Sequence, residues 1–459
     1  MRAADPDLSA APAEPCEPKY LQRMLSKPLV YGAFLPTIAI LNALVGMVLP
    51  MLMVPQLFGE YALAVTLFQY GLIFDCGAGQ LIDRWIPAAL GRREFEQAEH
   101  LGHRLLWIRL YIGIAAFAVT AAILCGIAAL GELPFGLSVG ILSALAGLLY
   151  MVALGPGFIY RARSLRRNYA LAIGTLSLGL AIARPAGLVA GGLVGCFSAL
   201  ALWYFAFMCL FHWRMPPKLT ARPSVAEAVS LVGQGLPFFA TSFIWSFYLT
   251  ANRWFASRLM DAGTFGHFAF SVNIYSLIVG AIGGFSAFYY PKIVGKIASE
   301  NIYAMSRTIT LDLIKLLIAV GILIAVGISL SSLLLNLIYP QYSQSINSVR
   351  ILLTAVPAMV LVSWLLPISL SSGQRPWIDG VFVYPAATLI LYLAIHFLAA
   401  RFGTDGAAAA SIVSALPLGA MLLFQLRHAH ILKTPAVAIL LSVATAVTIA
   451  LCGLVWVLQ

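Results

Sequence analysis

Apolar runs of about 20 residues recur almost from end to end, with polar and charged residues gathered in short stretches between them. Wound as an α-helix, a run of that length crosses about 30 Å of hydrocarbon. The pattern predicts helices near residues 30–53, 60–82, 107–130, 136–160, 169–183, 189–212, 236–257, 263–288, 308–330, 347–370, 377–400, 405–426 and 435–457. The expected fold class is therefore an all-α polytopic membrane protein with 12–14 transmembrane helices.

The segments repeat. Leu35-Pro36 opens the first helix and Leu236-Pro237 the seventh. Gly59-Glu60-Tyr61-Ala62 opens the second, and Gly266-His267-Phe268-Ala269 falls in the first turn of the eighth. Gly77 and Gly79 at the end of the second helix correspond to Gly283 and Gly284, and Pro87 to Gly91 corresponds to Pro291 to Gly295. Six crossings between copies give them one orientation, so two six-helix bundles should be related by an axis along the membrane normal, an arrangement suited to rocking. The expected organisation is a disordered tail over 1–28, a lobe over 29–212, a linker over 213–235, a second lobe over 236–430 and an additional C-terminal helix over 431–459.

Composition agrees with a membrane protein: 61% of residues are hydrophobic and 10% charged, against roughly 45–50% and 25% in soluble domains. The net charge of +11 does not imply nucleic acid, because the basic residues fall in alternate loops. Arg84, Arg92, Arg93, Arg104 and Arg109 lie on one side with Arg161, Arg163, Arg166, Arg167, Lys218 and Arg222. By the positive-inside rule that side, and the N-terminus with it, is cytoplasmic. The six cysteines show no disulfide or metal spacing, and His100 and His103 have no third ligand nearby, so no metal is expected.

Few polar residues lie at membrane depth. Ser242, Ser246, Thr250, Arg253 and Ser257 follow at spacings of 4, 4, 3 and 4, one face of the seventh helix. A cation there costs roughly 2.5–3.5 kcal/mol on insertion scales and marks a functional candidate; snorkelling to the interface is the alternative. Gly71, Asp75 and Gly79 form a small–polar–small stripe that lets another helix approach. Asp75 is open to three roles: a proton or cation site, an ion-pair partner for an arginine, or a cap. Asn252, Asn273, Asn42 and Gln69 are further polar candidates. Arg184-Pro185 marks the expected external turn between helices five and six, and residues 331–346 form the longest outer loop.

Two resemblances follow. Gly79, Asp83, Arg84, Gly91, Arg92 and Arg93 are similar to a loop of major-facilitator carriers, but six residues separate Arg84 from Gly91, too many for that motif. The stretches "PQLFGEYALAVTLFQYGLIFDCGAG" at 55–79, "GLPFFATSFIWSFYLTANRWFASRLMDAGTFGHFAF" from 235, "YPQYSQSINSVRILL" at 339–353 and "GTDGAAAASIVSAL" at 403–416 carry a broader one. Together the chain resembles the polysaccharide-transporter branch of the multidrug/oligosaccharidyl-lipid/polysaccharide (MOP) superfamily, the O-antigen and exopolysaccharide lipid flippases. Two departures stand out: the family's Asp-Arg in the seventh helix is Asn252-Arg253 here, and a thirteenth helix exceeds its usual twelve or is one short of fourteen.

The resemblance implies a multi-pass protein of the bacterial inner membrane that flips an undecaprenyl-diphosphate-linked oligosaccharide outward. It implies no cofactor and no enzymatic reaction. Its partners would be membrane lipids and, in the pathway, a polysaccharide polymerase and glycosyltransferases. Arg253, with Asn252, Thr250, Ser246, Asn273, Asn42, Gln69 and Arg84, would line the substrate cavity, and Asp75 would couple transport to H+ or Na+. No GxxxxGK[ST] loop suggests ATP hydrolysis. A drug or small-molecule exporter, and a non-transporting component of a polysaccharide assembly complex, are the alternatives.

Overall fold

The computed structural model describes residues 28–216, 218–299, 302–371, 382–428 and 432–458. The tail expected over 1–28 therefore lies almost wholly outside the described residues. The described chain is all helical. The first lobe comprises α1 (Pro28–Val48), α2 (Pro55–Ile73), α3 (Ala78–Gly91), α4 (Phe95–Ala129), α5 (Leu137–Ala153), α6 (Gly155–Ala162), α7 (Arg166–Leu178) and α8 (Arg184–Arg214). The second comprises α9 (Val225–Ser257), α10 (Ala262–Ser299), α11 (Ile302–Ile338), α12 (Ile346–Thr354), α13 (Val356–Ser371), α14 (Tyr384–His428) and α15 (Thr434–Val457).

Thirteen helical segments emerge among the described residues once glycine breaks are taken into account. The helical run 167–214 has 48 residues, about 72 Å at 1.5 Å per residue, far more than one bilayer needs. It is broken at Gly191-Gly192, with φ of −158° and +60°. A Cβ on either Gly187 or Gly195 would strike the other's carbonyl oxygen, so the chain doubles back as a hairpin. Gly403, at φ +57°, breaks α14 in the same way, and a Cβ on Gly406 would strike the carbonyl of Leu398. Only glycine adopts positive φ without strain. Pairing α2 with α3, α5 with α6 and α12 with α13 then completes thirteen segments.

The sequence placed several boundaries wrongly. The second helix does not end at Gly77 and Gly79: α2 stops at Ile73, and Gly77 at φ +81° starts α3, which runs through Pro87 to Gly91. The expected loop around Asp83 and Arg84 is thus a helix, and so is the region of Arg104 and Arg109, within α4. The seventh helix begins at Val225 instead of 236, because Ser224 and Glu227 close a capping box: the Ser224 hydroxyl accepts from Glu227 N at 3.3 Å and the Glu227 carboxylate from Ser224 N at 2.9 Å. Arg184-Pro185 continues a helix through a π turn at Gly179–Ala183, and the turn expected there falls at Gly191. The outer loop expected over 331–346 shrinks to a 3-10 turn at Pro340–Ser345.

Within the first lobe α5 is central, packed on α2 and α8; in the second, α9 packs on α14, α10 on α13, and α11 on α15. Large apolar side chains, including Val119, Ile123, Leu202, Leu323 and Ile449, are exposed on the outward surfaces, the inversion a lipid solvent requires. Arginine-rich turns and the linker share one face: Arg161 pairs with Asp83, Arg104 with Glu227 and Lys218 with Glu99. The opposite, far face carries the turns after α1, α4, α9 and α11. There Asp261 accepts from Gly263 N and Thr264 N at 3.0 Å each, and the Thr264 bonds hold its carboxyl below the usual carboxylate range.

The lobes meet where α2 packs against α10 and α9. Gly59 lies against Gly266, its repeat equivalent: a Cβ on Gly59 would come within 3.4 Å of Gly266 Cα.

Candidate substrate and coupling sites

The polar face of α9 lies against the first lobe, along the seam between the lobes. Ser242 accepts from Gln80 Nε2 at 3.4 Å. Thr250 shares a 2.8 Å hydrogen bond with Tyr70 OH, which also accepts from Trp254 Nε1 at 3.2 Å. The Ser246 carbonyl accepts from Thr250 Oγ1.

Arg253 is only 5% exposed. It does not snorkel; it donates to Thr66 Oγ1 of α2 at 3.4 Å and to Ser276 Oγ of α10 at 3.5 Å, both long contacts. Its Nε has no partner, and no carboxylate among the described residues pairs with it. Asn252 beside it is buried with Oδ1 unpartnered. The result is a buried cation solvated by neutral hydroxyls, flanked by open hydrogen-bonding capacity.

Asp75 has the opposite environment. It sits in the α2–α3 break, where Cys76 adopts φ +48°, strained for a residue with a side chain. Its carboxylate accepts from Gly77 N at 3.0 Å and Gly79 N at 2.9 Å, capping α3. It also pairs with Arg109, which is 1% exposed. Arg109 further donates to the Met151 carbonyl and lies 4.8 Å from the Phe158 ring centroid. Arg161 stacks on the same ring at 4.7 Å and pairs with Asp83, so two ion pairs share one aromatic ring. The small residues of the stripe serve this packing: a Cβ on Gly71 would meet Gly147 of α5 at 2.9 Å, and one on Gly79 would meet Arg109 at 3.2 Å.

The remaining candidates do not converge on Arg253. Arg84 is exposed and stacks over Phe238, 4.2 Å from its centroid. Fifteen residues of α9 separate Phe238 from Arg253, about 22 Å of helix, so one diphosphate cannot span both. Asn273 donates to the Gly46 carbonyl of α1 at 3.4 Å. Asn42 is half-buried with Oδ1 unpartnered, and Gln69 is half-buried on α2.

Thr66, Tyr70, Trp254, Ser276 and Arg109 belong to these sites without having been expected there. Hydroxyls and single aromatics blend into an apolar helix, so no signal marked the first four. Arg109 had one: "LLWIRLYIGIAAF" surrounds it with apolar residues on both sides.

A scan of protein-family models and a search of curated protein sequences find no match. Solved structures do share the fold. A lipid II flippase, MurJ, in an inward closed conformation matches with a TM-score of 0.66 and 13% identity, over 92% of this chain and 91% of that one. An inward-facing multidrug-resistance MATE family transporter of the MOP superfamily matches with a TM-score of 0.61 and 16% identity, over 86% and 93%. A Vibrio cholerae MATE transporter, VcmN, matches with a TM-score of 0.60 and 13% identity, over 90% and 96%. The chain thus shares the fold of these solved transporters.

Proposed function

We propose that this protein is an alternating-access flippase that carries an undecaprenyl-diphosphate-linked oligosaccharide across the bacterial inner membrane. The basic face, with the N-terminus, is cytoplasmic, and glycosyltransferases and a polymerase act before and after it. The observation that carries this reading is Arg253, a buried guanidinium in the seam between the lobes with hydroxyl partners and no acid among the described residues. Such a cation suits a diphosphate, because a planar guanidinium holds phosphate oxygens through paired hydrogen bonds. Asn252, Thr250 and Ser246 add polar groups suited to sugar hydroxyls, with Asn273, Asn42 and Gln69 further along the passage and Arg84 at its cytoplasmic approach. Asp75 couples transport to a proton or sodium gradient.

A MATE-type drug exporter is the second reading, favoured by the likeness to MATE structures. A carrier of organic cations calls for free acids in its passage. Here the deep carboxylate, Asp75, is engaged by Arg109 and two backbone amides.

The test is a deletion strain complemented with variants. Loss of the protein should trap lipid-linked repeat units on the cytoplasmic side and remove surface polysaccharide. Arg253→Ala should fail to restore it at normal expression, whereas Arg253→Lys should restore part. Normal surface glycan in the deletion strain would falsify the substrate assignment, and full activity of Arg253→Ala would remove Arg253 from it.

A further inference from the structure

The stretch Tyr339-Pro340-Gln341-Tyr342 joins α11 to α12 on the far face, and the transport reading leaves it without a role. It belongs to the second lobe, yet its side chains are bonded to the first. Tyr339 OH donates to the Met47 carbonyl at 2.7 Å. Gln341 Nε2 donates to the carbonyls of Pro50 and Met53, at 2.8 and 3.0 Å. Tyr342 OH donates to the Met53 carbonyl at 2.9 Å. The acceptors lie where α1 ends and the 3-10 turn Leu49–Leu52 leads into α2. Carbonyls at a helix end are short of amides from the next turn and so are open to donors from elsewhere; Pro50 O accepts Gln341 in addition to the Met53 amide at 3.3 Å.

The rings add to the contact. Tyr342 stacks on Phe270 of α10, centroids 4.2 Å apart, and meets Phe58 of α2 edge-on at 5.9 Å. Next to Phe58, Gly59 lies close against Gly266, where α2 meets α10. The segment thus covers the far-face end of the seam, and every hydrogen bond it makes there runs from a side chain to another lobe's backbone. Such bonds separate without unwinding either lobe.

We propose that residues 339–342 are a latch holding the far-face ends of the two lobes closed, and that its release is a step of the transport cycle. The proposal rests on the alternating-access reading and on no particular substrate. Each lost bond should shift the closed-to-open ratio by roughly 2- to 10-fold, the factor a net hydrogen bond represents.

The experiment measures distance, so it does not depend on identifying the cargo. Spin labels are placed at Val189→Cys and Phe402→Cys, exposed positions near the far-face hairpin turns of opposite lobes, in the full-length chain freed of its other cysteines and held in lipid nanodiscs. With the latch intact, one short distance should dominate. The triple variant Tyr339→Phe, Gln341→Ala, Tyr342→Phe keeps both rings and should add a longer population; Gln341→Ala alone, at an exposed residue, should add less of it. Distributions unchanged in both variants overturn the latch. A longer population in a protein whose deletion leaves surface glycan normal upholds the latch and overturns the substrate reading.

Discussion

Arg109 and Arg253 are both buried within long apolar helices, and their surroundings are opposite. Arg109 is neutralised by Asp75, by a backbone carbonyl and by the face of Phe158. Arg253 has two long contacts to hydroxyls. Removing one member of a buried pair leaves the other charge uncompensated, at a cost of roughly 3–5 kcal/mol. Asp75→Asn by itself should therefore lower the folded yield, which would mask any effect on coupling. The double variant Asp75→Asn/Arg109→Gln removes both charges and should recover the yield in the membrane. In vesicles, that variant should transport without responding to an imposed proton or sodium gradient. A gradient response equal to wild type would leave Asp75 as a cap and ion-pair partner only.

The break between α2 and α3 is the element on which both lobes lean. Its first-lobe side is fixed by the two arginine–aspartate pairs around Phe158. Its other side touches α9 backbone to backbone: a Cβ on Gly235 would strike the Cys76 carbonyl, and one on Gly77 the Gly235 carbonyl. Gly235→Leu should therefore force the lobes apart at this point, at an overpacking cost of about 1–3 kcal/mol. Gly233 lies two residues away with nothing within 4 Å of an added Cβ, so Gly233→Leu is the matched control. Complementation should fall at least several-fold for Gly235→Leu at equal membrane abundance and stay near wild type for Gly233→Leu. Equal activity of the two variants would show that the close approach is dispensable.

At the scale of the molecule, thirteen segments that each cross the membrane would put the two ends of the described chain on opposite faces. The structure ties the end of α15 to the far face: Arg350, in the middle of the short helix α12, donates to the Leu458 carbonyl at 3.0 Å and to Ser331 of α11 at 2.9 Å. A cation at the last carbonyls of a helix also complements its dipole. Alkaline phosphatase fused after Gln459 should be active, and the same enzyme inserted in the linker between Met215 and Arg222 should be inactive. Activity at both sites, or at neither, would contradict thirteen crossings. Distance along the seam matters as well. Gly235, which meets the α2–α3 break, and Arg253 are eighteen residues apart on α9, about 27 Å. An ion at Asp75 can therefore influence a ligand at Arg253 only by moving the lobes.

The membrane class and the all-α run of long apolar segments could be read from the chain alone, because hydrocarbon demands long apolar helices. The polar face of α9 and the depth of Asp75 were legible for the same reason: polarity inside an apolar run is costly and conspicuous. Tertiary structure decided the rest. Hydropathy does not register helix breaks, since Phe74 to Gly77 and the run through Pro87 look like the end of one helix followed by a loop. It counts Arg109 with the loop arginines, because only folding brings Met151, Phe158 and Asp75 around it. It also sees Thr66, Tyr70, Ser276 and the carbonyls of Met47, Pro50 and Met53 as ordinary positions. Their meaning depends on which residue of the other lobe faces them, and pairings across so many intervening residues are set by packing, not by local pattern.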